Sequence, residues 1–174
     1  MAAELAEEES VRGMSLQNFT GSALFERTFD EGMALVEETA RYLDGRGRDE
    51  SKQLERKAGL VYAGESMRIT TRLMQAASWL LVQRAVQEGD MTPQDAAADR
   101  YRLGGREICL SKREEGMDDM PRKLLDLLER SESLYKRIAR LDDVLFGRGQ
   151  RSPDVKSHFS KLEQAFGRAE NRQR

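Results

Sequence analysis

The sequence predicts an all-α protein: a three-helix bundle around one long central helix, with a disordered N-terminal segment, a flexible C-terminal tail, and self-association into a dimer. Apolar residues recur at steps of three and four along three long stretches, and no stretch alternates with a period of two. Charged residues make up 34% of the 174 positions, aromatics only 6%, and there are 3 prolines, a composition that suits long helices. The second stretch is also too long and too broadly apolar to be covered by one short neighbour.

Residues 1–20 begin acidic and lack periodicity, so they are expected to be disordered; residues 21–147 form the bundle and 148–174 a basic tail. The first helix is expected from Ser22 to Leu43, with Phe25, Phe29, Gly32, Met33, Val36, Ala40 and Leu43 on one stripe and Gly45 as its stop. Gly32 on that stripe suggests that another backbone passes closely. The second helix is expected from Ser51 to Glu88, ~55 Å at 1.5 Å per residue against ~33 Å for the first. Gly59 and Gly64 lie inside it, where a bend or break is expected. A shorter helix opens at "MTPQDA", with Thr92 as cap, Pro93 at the first helical position and Asp95 in the first turn. Residues 103–119 show no period and read as a loop or lid. The last long helix starts at Pro121 and reaches Phe146; its stripe is Leu124, Leu127, Leu128, Ser131, Leu134, Tyr135, Ile138, Leu141 and Leu145.

Several chemistries are disfavoured by what the residues lack. A single cysteine, Cys109, and a single histidine, His158, leave little for a transition-metal site or a Cys–His nucleophile pair, and no glycine-rich loop follows a strand. An enzyme is not expected, and neither a cofactor nor a metal is called for. One cysteine allows no internal disulfide and fits a reducing cytoplasm. No apolar run reaches the ~18 residues of a membrane span. Net charge is −2, yet residues 147–174 hold seven Arg or Lys and three acids, so the tail carries +4 and the rest −6. Binding of nucleic acid through that tail is the alternative function, though no helix-turn-helix pattern supplies a base-reading element.

The central helix carries an unusual pattern. Ile69, Leu73, Ala76, Ala77, Leu80, Leu81, Met67, Met74 and Ala85 span nearly half its circumference, wider than one packed face requires. Opposite them lie Arg68, Arg72, Gln75, Trp79 and Gln83, with the chain's one tryptophan among its cations. The arginine stems either cover the indole, or the strip meets another protein, since Trp and Arg are enriched at binding hot spots. Asp142 interrupts the last helix's stripe and calls for a cationic partner, with Arg84 as candidate, unless that helix end is exposed. In the tail, Ser152, Pro153 and Gly167 bracket a short helix whose narrow stripe is Val155, Phe159, Leu162 and Phe166. It folds onto the bundle or serves as a tethered helix that docks in a partner's groove.

The segments "FDEGMALVEETARYLDGRGR" (Phe29 to Arg48), "YAGESMRITTRLMQAASWLLVQRAVQEGD" (Tyr62 to Asp90) and "LLERSESLYKRIARLDD" (Leu127 to Asp143) resemble the RcdA family, regulators of CtrA degradation. The likeness runs from about Phe19 to Phe166. It implies a dimer of three-helix bundles with a mobile tail, acting as an adaptor that brings cell-cycle regulators such as CtrA to the ClpXP protease. Co-adaptors of the CpdR and PopA types, and recruitment to the cell pole, are also implied. No catalytic residue is carried over. The matching positions that would meet proteins are Glu65, Arg68, Arg72, Gln75 and Trp79 in the central helix and the tail stripe.

Overall fold

A computed structural model describes residues 16–113 and 115–147. Its helices are α1 (Leu16–Thr20), α2 (Ala23–Asp44), α3 (Arg46–Lys52), α4 (Arg56–Glu88), α5 (Pro93–Ala96), α6 (Arg106–Cys109) and α7 (Arg122–Phe146), with 3-10 turns at Asp99–Tyr101 and Met117–Asp119. Every described element is helical or a turn. The long helices α2, α4 and α7 form the three-helix bundle, and α4 packs against both of the others. The tail stripe Val155, Phe159, Leu162 and Phe166 lies outside the described residues.

Local signals explain most helix ends. The Ser22 hydroxyl accepts from the Phe25 N–H at 3.2 Å and caps α2. The Gly45 N–H returns to the Arg41 carbonyl at 3.1 Å and closes it. At the far end of α4, Gly89 adopts φ +82, the left-handed conformation that a side chain would resist. Thr92 caps α5 as the spacing predicts, its hydroxyl accepting from the Asp95 N–H at 3.1 Å, but the helix lasts only four residues.

Four expectations are corrected. Residues 16–20 are helical rather than disordered, and Phe19 is buried with its ring 6.3 Å from that of Trp79. The interruption in the second helix falls at Gln53–Glu55, between α3 and α4, rather than at Gly59 or Gly64, both of which sit in unbroken helix facing open space. Gly32 makes room for a side chain, not a backbone: a Cβ there would lie 2.6 Å from Leu80 Cδ1. The buried centre of α2 runs through Phe25, Thr28, Leu35, Thr39 and Tyr42, leaving Phe29, Met33, Val36 and Leu43 at its edge. Thr28 tolerates burial because its hydroxyl donates to the Leu24 carbonyl at 2.8 Å, one turn back.

Exposed ion pairs join α2 to α7. Arg130 bonds Glu38 and Asp126, Lys123 also reaches Glu38, and Arg137 meets Glu31. Hydrogen bonds from Arg130 and then Lys123 hold the Glu38 carboxyl down to about 2.

Candidate functional site

The central helix α4 has two unusual faces, and they point opposite ways. Its polar strip is interior. Trp79 is 1% exposed, Arg72 2% and Glu65 0%. Trp79, Arg72 and Glu65 therefore offer no accessible partner surface in this fold, and the donors of Arg72 and Trp79 are engaged by the same chain.

Arg72 ties three elements together. Its Nε and Nη2 donate to the Cys109 carbonyl at 3.1 and 2.8 Å, at the C-terminus of α6. Its Nη1 donates to Ser131 Oγ at 3.0 Å and the Leu128 carbonyl at 3.2 Å on α7. The guanidinium has enough rigidly forked donors to reach both helices at once, which an ammonium does not. Burial pushes Arg72 below the ordinary arginine value, and the charge of Glu132 opposes that shift. Ser131 is the small residue in α7's leucine stripe that admits the guanidinium. One turn earlier on α4, Arg68 pairs with Glu65 at 3.2 Å and donates to the Lys112 carbonyl at 2.9 Å. Gln75 lies beneath Gly104 and Gly105, where added Cβ atoms would come 2.9 and 3.5 Å from its side chain.

Trp79 is not covered by arginine. Its indole N–H donates to Asp142 Oδ1 at 2.9 Å. Asp142 is 1% exposed, so the helix end is not open to solvent there. Its cationic partners are Arg102, at 2.9 Å to each carboxylate oxygen, and Arg106, at 3.2 Å to Oδ2. Arg84, the candidate from spacing, instead pairs with Glu26 at 3.0 Å and lies over the Phe29 ring at 4.2 Å. Arg106 also grips Asp143 at 2.8 and 2.9 Å, and that bonding raises its pKa. The aperiodic stretch from residue 103 is thus fastened at its start: Arg102 and Arg106 hold it to α7, while Arg72 and Arg68 hold it to α4.

The outward face of α4 is apolar. Leu60 is 70% exposed, Met67 72%, Met74 65% and Leu81 54%. The broad apolar arc seen in the sequence therefore divides in two. Ile69, Leu73, Ala76 and Leu80 enter the core, while Met67, Met74 and Leu81 face water. Isolated exposed hydrophobes are ordinary, whereas these four recur at intervals of seven and form one apolar row along the helix.

Among the described residues no three His, Cys, Asp or Glu side chains gather to hold a metal ion. Cys109 is buried, and burial pushes its thiol pKa up, away from the reactive thiolate. An open groove of about 470 Å³ lies between the start of α4 and the Gly116 turn, lined by Leu54, Ala58 and Val61 with Glu55, Lys57 and Asp119. Among the described residues no helix is long and apolar enough to cross a membrane.

Comparison with known proteins places this geometry. Residues 16–166 match the family described as "Protein of unknown function (DUF1465)". No curated protein matches the chain. Among solved structures, RcdA from Caulobacter crescentus CB15 is similar with a TM-score of 0.62 and 55% sequence identity, the match covering 75% of this chain and 97% of that one. Identity at that level over nearly all of a relative, together with a family match across most of the chain, is decisive: the protein belongs to the DUF1465 family and is of the RcdA type.

Proposed function

We propose that this protein is a non-catalytic adaptor that brings regulatory proteins such as CtrA to the ClpXP protease and so promotes their degradation. It works as a homodimer with co-adaptors of the CpdR and PopA types, in the cytoplasm and recruited to the cell pole. The observation that carries this reading is the 55% identity to RcdA over 97% of that chain. The architecture suits the task. Tethering raises the concentration of cargo near a protease and requires a rigid body with separate docking surfaces, not a reacting group. The bundle supplies rigidity through its interior arginine and aspartate bonds, and α4 supplies an uncharged outer face.

The test is reconstituted degradation. A fluorescent cargo is incubated with ClpXP and the co-adaptors, with and without the full chain. The proposal expects faster loss of fluorescence with the chain present and no faster loss when residues 148–174 are removed. Equal rates with and without the full chain contradict the adaptor reading. Equal acceleration by the truncated chain removes the tail from the mechanism.

A further inference from the structure

The groove at the head of α4 combines an apolar floor with an acidic rim. Leu54, Ala58 and Val61 recur at helical spacing along the floor, each half-buried against the core. Glu55 and Asp119 stand on the rim with Lys57, and the Gly116 turn adds exposed Glu115 and Asp118. In the lining and the turn together, four acids against one lysine leave −3. Gly116 lets the turn close over the floor. Its φ of +94 is one that a side chain resists, and a Cβ there would stand 3.8 Å from Val61 Cγ2. The space is about 470 Å³, room for a few side chains.

The chain's own tail carries the opposite charge and a matching apolar stripe. Leu162 and Phe166 are one turn apart in the helix that Ser152, Pro153 and Gly167 bracket. Residues 155–168 hold Lys156, Lys161 and Arg168 against Glu163, a net +2. We infer that residues 161–168 dock in this groove, with Leu162 and Phe166 on its floor and Lys161 and Arg168 at its acidic rim. Exposed ion pairs are weak, so burial of the two apolar side chains carries the contact and the charges orient it. This contact needs neither a second copy nor a protease, and it stands apart from the adaptor reading.

Chain length selects which part of the tail reaches the groove. The groove lies where α4 and α7 both begin, beside the turn that precedes Arg122. The tail leaves from the other end, where Arg102 donates to the Gly147 carbonyl at 3.3 Å. Helix α7 has 25 residues, so the tail must travel back ~37 Å at ~1.5 Å per residue. An extended link from Gly147 to Ser152 covers ~16 Å, and a helix from there to Phe166 adds ~21 Å. Phe166 therefore arrives at the groove with Leu162 one turn behind it, while Val155 and Phe159 fall short. Docked in this way, groove and tail hide each other, and a partner for either must first displace the other.

A spin label on the full chain tests the contact. A nitroxide is attached at Gln164→Cys, off the apolar stripe, in isotope-labelled protein; Cys109 is buried, and the parent chain treated alike is the control. The expected result is paramagnetic broadening strongest at the amide signals of residues 54–61 and 116–119, unchanged on dilution, and lost when Leu162→Ser and Phe166→Ser are added. Broadening centred elsewhere, or none, overturns the docking. Broadening at the groove that fades on dilution gives the site to the tail of a second copy and overturns the contact within one chain. Trypsin supplies an independent reading. Ala58→Arg fills the groove and opposes its charge, so cleavage after Arg168 is expected to run several-fold faster than in the parent at equal helix content. Equal cleavage rates in the two folded chains overturn the assignment of this groove.

Discussion

The two faces of α4 invert the usual order of a surface helix. The inward strip holds Glu65, Arg72, Gln83 and Trp79, while the outward face holds Leu60, Met67, Met74 and Leu81. What distinguishes them is whether each group finds its partner within the chain. Arg72 and Trp79 are inside because three carbonyl or hydroxyl acceptors and one carboxylate wait for their N–H groups. The methionines are outside because α2 and α7 already occupy the rest of the circumference. Residue type alone does not assign a face; the supply of partners does.

The largest blow to the inner strip is Asp142→Ala. It removes the acceptor of Trp79 and leaves Arg102 and Arg106 without their shared carboxylate, which is itself almost fully buried. Loss of one member of such a buried pair costs about 3–5 kcal/mol, read as a lower denaturant midpoint at unchanged slope. A cost below ~1 kcal/mol would mean the cluster is open to solvent. Next is Arg72→Met, which keeps most of the volume but strands the Cys109 carbonyl and takes a donor from Ser131 Oγ and the Leu128 carbonyl. A loss of about 2–3 kcal/mol is expected, and Arg72→Lys should recover little of it because one ammonium cannot serve both helices.

The strip has one member whose partners are missing. The Gln83 amide is fully buried, and among the described residues neither its nitrogen nor its oxygen has a hydrogen-bond partner. Gln83→Met should therefore raise stability by about 1 kcal/mol or more. A fall in melting temperature would show that the amide is satisfied and that the contrast with Arg72 is false. The smallest effects concern glycines. Gly59 faces open space in mid-helix, so Gly59→Ala should stabilise by up to ~1 kcal/mol. Gly32→Ala gains the same propensity but crowds Leu80, so calorimetry should show the smaller gain or a net loss.

Much of the fold was legible because the long helices are strongly periodic. Ser22, Gly89 and the Thr92–Pro93 pair mark ends where local chemistry is sufficient. The Gln53–Glu55 interruption was not legible, since Gln53, Leu54 and Glu55 are ordinary helix formers while the glycines nearby are harmless. The five residues of α1 are too few to show a period, so nothing in the sequence marks Phe19 as the ring that packs on Trp79. Asp142 stood out as an anomaly that required a cation. Its partners did not, because Arg102 and Arg106 lie about 40 residues away in a stretch without periodicity. The inner strip resembled a binding hot spot because arginine and tryptophan serve both purposes. Nothing in their spacing reveals that the acceptors lie on the same chain.

The orientation of α4 is tested most directly by its single tryptophan. Fluorescence of Trp79 in the folded chain, titrated with iodide and with acrylamide, reports whether the strip faces solvent. The inward orientation predicts quenching far weaker than in the guanidinium-unfolded chain and unchanged on dilution. Quenching as strong in the folded chain as in the unfolded one, or exposure that appears on dilution, would contradict it and return the strip to the surface.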